Sequence, residues 1–145
     1  MPSDKLAKLY DKNIIEHNVR PRNNDILSNE TNSGHSINPF CGDEVKVQLL
    51  VKNGFISKVG FQAIGCKINI AAASLLSETI LNKPIKQVSQ LEILFTEYLN
   101  GKMTETDYYE LGDLLKLSQV RNFPIRIKCV LLSWSALDDA IEKNR

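Results

Sequence analysis

The clearest pattern in the chain has period two. Val45, Val47, Leu49 and Val51 alternate with Lys46, Gln48, Leu50 and Lys52, the signature of a half-buried strand. Asn53-Gly54 follows, the dipeptide of a tight hairpin turn, and Phe55, Ser57, Val59, Phe61 and Ala63 share one parity on the return strand. A two-residue turn pairs Lys52 with Phe55 and sets Val59 and Phe61 on the face of Lys46 and Gln48. A three-residue turn, with Gly54 left-handed and a bulge, pairs Val51 with Phe55, Val47 with Val59 and Val45 with Phe61. The second register buries one coherent face and is the expected one. The hairpin is placed at about residues 44–63.

Around it the period changes to that of helices. Ser3 suits an N-cap, and Leu6, Leu9, Tyr10, Asn13, Ile14 and His17 follow at helical spacing, giving an amphipathic helix over 4–18 that Arg20-Pro21 ends. Ser28 to Pro39 is polar and rich in Asn, Ser and Gly, so it reads as mostly loop, with a third, edge strand left open. Cys66 to Leu81 reads as a helix burying Ile68, Ala71, Ala72, Leu75, Leu76, Thr79 and Ile80, stopped by Asn82-Lys83-Pro84. Leu91, Leu94, Phe95, Tyr98 and Leu99 mark another over 90–100, closed by Gly101. Thr104 to Leu117 is expected to be helical in short pieces. Pro124 fits the first turn of a final helix in which Ile125, Cys129, Leu132, Ala136 and Ala140 share a face. Helix, hairpin, then several helices is an α+β order: a small antiparallel sheet packed against helices, in one domain over residues 1–145.

Composition narrows the function classes. The 145 residues are 43% hydrophobic and 24% charged, values of an ordinary globular chain rather than a disordered one. Eighteen Lys+Arg against 17 Asp+Glu leave no electrostatic footprint for nucleic acid or an anionic membrane. No apolar run approaches the roughly 20 residues that span a bilayer. The first residues run into the amphipathic pattern rather than a signal-peptide block. Three cysteines, an odd number, argue against a closed disulfide framework. A reduced, cytoplasmic protein is expected, and the three cysteines are the feature to explain.

In the expected register Cys41 faces Gly65, so Cys41 and Cys66 emerge at one end of the hairpin. Asp43 points the same way by strand parity. Cys66 sits at a helix N-terminus, which favours a thiolate. Cys129, near the start of the final helix, completes the group if that helix packs over the hairpin end. Three thiolates and a carboxylate suit tetrahedral Zn²⁺ or an open iron platform, with Arg126 and Lys128 offsetting the excess negative charge. The spacing alone leaves a second reading open: buried cysteines acting as small apolar residues, with Asp43 as a turn residue bonding its own backbone. His17 and His35 have no partner at metal-ligand spacing and read as structural or solvated. Trp134 and Phe123 read as core or lid residues, and Lys5, Lys8 and Lys12 as a solvated face.

Three segments then weigh on that choice. Asn38-Pro39-Phe40-Cys41-Gly42-Asp43, Ile64-Gly65-Cys66-Lys67-Ile68 with Ala73-Ser74, and Pro124-Ile125-Arg126-Ile127-Lys128-Cys129 resemble, in order and over nearly the whole chain, the IscU/NifU family of iron–sulfur cluster assembly proteins. Lys128 stands where the IscU scaffold branch has a histidine. Arg-x-Lys-Cys with Trp134, and the long step from Cys66 to Cys129, resemble the SufU branch. Asn69 and Ala72 depart from the serines usual after the second cysteine.

The resemblance implies a SufU/IscU-like fold and Zn²⁺ held by Cys41, Asp43, Cys66 and Cys129. It also implies Cys41 as acceptor of persulfide sulfur from a SufS-type cysteine desulfurase, whose histidine replaces it on the metal. Downstream iron–sulfur assembly or acceptor proteins would then take the sulfur. Cys41, on a loop, is the ligand best able to leave. The expected function is a zinc-dependent sulfurtransferase, with no nucleic-acid or membrane partner. Two alternatives stay open: a scaffold that assembles a transient [2Fe–2S] cluster on the same ligands, with iron in place of zinc, and a zinc-stapled interaction domain without sulfur chemistry.

Overall fold

The computed structural model of the chain describes residues 10–101 and 105–143. Three antiparallel strands, β1 (Asn32–Ile37), β2 (Glu44–Lys52) and β3 (Phe55–Ile64), form one sheet in the order β1-β2-β3. Helix α1 (Lys12–Val19) precedes the sheet; α2 (Lys67–Ile80), α3 (Ile85–Leu99), a 3₁₀ segment (Glu105–Asn122) and α4 (Pro124–Lys143) follow it. The α+β reading therefore holds, third edge strand included. Among the described residues no helix is long and apolar enough to cross a membrane.

The hairpin register differs from the expected one. Its turn has two residues, with both Asn53 (φ 53) and Gly54 (φ 79) left-handed, the twist that matches the strands. Lys52 pairs with Phe55 and Val51 with Ile56; a bulge between Leu50 and Val51 then shifts the pairing, so that Leu49 faces Val59, Val47 faces Phe61 and Val45 faces Ala63. The extra residue is Ser57, whose hydroxyl donates to the Leu50 carbonyl at 3.0 Å. One residue absorbed inside β3 restores the apolar parity that the two-residue turn would have broken. Ile56 is therefore buried in place of Phe55, which is 49% exposed.

Helix α4 lies across β1 and β2, α2 packs on β3, and α1 packs on α2. Between them Val45, Val47, Leu49, Phe61, Leu75 and Trp134 are buried in a continuous core. Trp134 is a core residue, its ring 6.0 Å from that of Phe95. The polar composition that disguised β1 has a physical cause. A Cβ on Gly34 would lie 2.2 Å from the Ala136 carbonyl oxygen and 2.4 Å from the Ala140 nitrogen, so α4 presses backbone to backbone on the strand. Asn32 donates its side-chain N–H to the Ala140 carbonyl, and the Asp139 carboxylate accepts the His35 backbone N–H.

Other boundaries also move. Asp11, not Ser3, caps the described first helix, accepting from the N–H groups of Asn13 and Ile14; residues 4–9 of the expected helix lie outside the described residues. Helix α3 starts at Ile85, five residues before its expected start, because the Gly54 carbonyl accepts the Ile85 N–H and anchors that end to the hairpin. The 3₁₀ segment is broken at Gly112 (φ 54) and runs on to Asn122, while Thr104 is outside the described residues. Ile125, expected on the buried face of α4, is 81% exposed.

His17 is a satisfied structural histidine, 4% exposed, with Nδ1 against Ser74 Oγ at 2.7 Å. Burial lowers its pKa from 6.5, with Arg22 and Lys116 adding to the effect and Glu78 and Asp113 opposing it. The unfolded chain therefore binds the proton more readily, so this contribution to stability is full above pH 6.5 and fades as pH falls below it. Urea midpoints should drop between pH 7.5 and 5.5, and His17→Gln should flatten that slope. Gly34→Ala should lower unfolding free energy by about 1–3 kcal/mol or more, read by denaturant titration, since no flexible side chain is available to give way.

Candidate metal centre

The register sets the site. Glu44 pairs with Ile64 at the end of the ladder, and one step further Asp43, not Cys41, stands against Gly65. Gly65 has φ +125, and a Cβ there would sit 2.0 Å from Asp43 Oδ1. With no Cβ, the Asp43 carboxylate reaches past it, and its Oδ1 accepts the Cys66 backbone N–H at 3.0 Å. Asp43 is 3% exposed. The turn role goes to Asn38 instead: its Oδ1 accepts the Phe40 N–H, and its carbonyl accepts the Gly42 N–H.

Cys66 is the N-cap of α2 rather than a residue of its first turn, and its Sγ accepts the Asn69 N–H at 3.4 Å. Asn69 donates its side-chain N–H to the Ile64 carbonyl at 3.1 Å, closing the Ile64-Gly65-Cys66 corner from inside the helix. Sequence reasoning treated Asn69 only as a departure from a serine pattern; its position three residues after an N-cap was the available signal. Cys129 comes from the early turns of α4 and is 4% exposed.

Asp43, Cys66 and Cys129 converge: one carboxylate oxygen and the two Sγ atoms all lie within 4.8 Å of one another. Cys66 and Arg126 are the neighbours that act most strongly on the Cys129 thiol. Burial pushes the Cys129 thiol up to about 12; the Cys66 charge and hydrogen bond and the Asp43 charge add to this, while Arg126 opposes it. For Arg126, burial works against the charge but is outweighed by Cys129, Tyr10 and Cys66, so its pKa is raised. Lys128 is exposed.

The unmet hydrogen bonds of the donor set fit a metal. Among the described residues, Asp43 Oδ2 and Asn69 Oδ1 are buried without a hydrogen-bond partner. A buried carboxylate oxygen left bare costs free energy unless something positive meets it. Two thiols beside it make a soft, anionic pocket, the chemistry that Zn²⁺ or iron takes. Cys41 is outside this group. It is exposed, on the Asn38–Gly42 turn, and lines a cleft with Cys129, Arg126 and Lys128. His17 and His35 lie elsewhere, His35 paired with Glu44.

Comparison with known proteins gives a consistent picture. The family model for the NifU-like N terminal domain matches residues 9–130. The chain is 33% identical over 139 residues to the zinc-dependent sulfurtransferase SufU of Bacillus subtilis, covering 96% of this chain and 93% of that protein. It is 30% identical over 144 residues to the iron–sulfur cluster assembly scaffold protein IscU of Streptococcus pyogenes, covering 99% and 89%. A solved iron–sulfur cluster assembly scaffold protein for the SUF system from Fervidobacterium islandicum superposes with a TM-score of 0.83 at 26% identity, covering 92% of this chain and 96% of that one. A NifU-like N-terminal structure from Brucella abortus shares the fold at TM-score 0.83 and 17% identity, covering 97% and 96%.

Gly65→Ala should drive the Asp43 carboxylate off its seat. The expected result is a rise of about 10–100-fold in the Zn²⁺ dissociation constant, measured by competition with a chromophoric chelator.

Proposed function

The chain belongs to the NifU-like N-terminal domain family of iron–sulfur cluster assembly proteins, and from that premise we propose that it is a zinc-dependent sulfurtransferase with Cys41 as its sulfur acceptor. One observation carries the reading. Asp43, Cys66 and Cys129 converge, and among the described residues one oxygen of that carboxylate has no hydrogen-bond partner, while the remaining thiol stands exposed at the mouth of the same site. Asp43, Cys66 and Cys129, with Cys41 as the fourth, would hold Zn²⁺. Bound there, zinc keeps thiolates deprotonated and restrains their side reactions.

The residues divide the work by their attachment. Asp43 is tied to the Cys66 N–H and Cys66 to the Asn69 N–H, while Cys129 is buried in α4; these three hold position. Cys41 has no such tie among the described residues, and its thiolate attacks the outer sulfur of a persulfide on a cysteine desulfurase. A new S–S bond forms at Cys41 Sγ, the bond between that outer sulfur and the desulfurase cysteine breaks, and the desulfurase thiolate leaves. Arg126, which lines the same cleft as Cys129, offsets negative charge through both states. The sulfur then passes to downstream iron–sulfur assembly proteins. The likeness to scaffold proteins named IscU supports a second reading, assembly of a transient [2Fe–2S] cluster on the same groups.

The test joins metal analysis of the anaerobically purified protein to a desulfurase assay with L-cysteine. Zinc near one per chain, faster desulfurase turnover, and a mass gain of one sulfur at Cys41 are expected, with Cys41→Ala taking up none. A zinc-free native protein that leaves turnover unchanged when zinc is added, or a Cys41→Ala variant that still accepts sulfur, overturns the reading. A cluster that forms on reconstitution and moves to apo-ferredoxin supports the scaffold instead.

A further inference from the structure

Beside the metal centre, between the Asn38–Gly42 turn and the first turn of α4, lies a cleft of about 520 Å³, the size of a small-molecule site. Cys41 and Cys129 line it, Phe40 and Ile125 form apolar walls, and Arg126 and Lys128 supply two cations; among the described residues that line it none is acidic. Phe40 is 94% and Ile125 81% exposed, so the walls rise from the surface rather than fill the space between them. Cys129, at 4% exposure, offers little of itself to a visitor. The reactive group within reach is Cys41.

We propose that this cleft binds a small thiol carrying a carboxylate, and that the bound thiol takes the sulfur from Cys41. The inference rests on the sulfur-acceptor reading above and adds to it the chemical class of an acceptor. The Asp43 carboxylate is buried behind Cys129 and is not among the lining residues, so the cations at the surface favour an anion, and Lys128 lines the cleft where it can pair with one. Positive charge also favours the thiolate form of the ligand, which is the nucleophile. The ligand thiolate attacks the outer sulfur of the Cys41 persulfide. A ligand S–S bond forms, the bond from Cys41 Sγ to that sulfur breaks, and Cys41 leaves as thiolate. The persulfide proton travels with the transferred sulfur, and no outside oxidant or reductant is consumed.

The experiment separates this inference from its premise. The full chain is loaded with sulfur by a cysteine desulfurase and L-cysteine, desalted, and its mass read before any thiol is added. It is then mixed with 3-mercaptopropionate or with neutral 2-mercaptoethanol at matched thiolate concentrations, and loss of the extra sulfur is followed. The rate should saturate with mercaptopropionate and stay linear with mercaptoethanol. Lys128→Gln should raise the half-saturating concentration for mercaptopropionate about threefold to tenfold and change the mercaptoethanol rate far less, while Lys128→Arg keeps saturation. Alkylation should trap one mercaptopropionate persulfide per loaded chain.

Linear rates of similar size for both thiols, unchanged in Lys128→Gln, overturn the cleft as a binding site and leave a protein acceptor docking elsewhere. If no sulfur is found on Cys41 before thiol is added, the sulfurtransferase reading itself falls, and this inference with it.

Discussion

Ser57 is one residue more than β2 can pair with, and much of the molecule follows from where that residue is put. The type of turn demanded by Asn53-Gly54 would leave lysine and glutamine opposite Val59 and Phe61. Looping Ser57 out of the ladder, its hydroxyl bonded to the Leu50 carbonyl, returns Val59 and Phe61 to the face of Leu49 and Val47. The same shift travels to the other end of the hairpin. There it sets Asp43 against Gly65, where the unbulged two-residue turn would set Gly42, and so decides which side chain goes inward and which stays outside.

What it sends inward is electrostatically unfavourable by itself. Two like charges 4 Å apart repel by about 4 kcal/mol at an effective dielectric near 20, and three acidic groups crowd together here. Burial, with the neighbouring Cys66 and Asp43 charges adding to it, pushes the Cys129 thiol up to about 12, so without a cation this thiol keeps its proton. Arg126 offsets part of the excess but leaves Asp43 Oδ2 bare. The centre is thus shaped for a charge that the protein does not itself provide. It is also asymmetric, with Cys129 and Asp43 buried and Cys66 half-buried while Cys41 is in solvent, the arrangement on which the proposed exchange of one ligand against three fixed ones rests.

The parts legible from sequence were those where local pattern and tertiary demand agree. The alternation of β2, the run of small and apolar residues in α2, and Pro124 opening α4 all appear as read. The parts that were not legible are those in which a distant element overrides local preference. Asn-Ser-Gly-His reads as loop, yet it forms β1 because α4 needs a strand without a Cβ at Gly34. Ile125 has the spacing of a core residue, yet it stands exposed as a wall of the cleft. Helix α3 begins at Ile85 because its first N–H is held by the Gly54 carbonyl, a contact no periodicity announces.

By itself the sequence determined the class of the fold, the family and the chemistry on offer: three cysteines and an aspartate in motifs around a hairpin and two helix starts. These follow from residue identity and short-range spacing, which need no packing to be read. Only the tertiary structure decided how the four divide, because that depends on strand register, and register is set by the whole apolar face. Alternation alone allows more than one slip between β2 and β3, and each places a different residue opposite Gly65. The one that buries Ile56, Val59 and Phe61 together brings in Asp43 with Cys66 and Cys129, and leaves Cys41 at the surface.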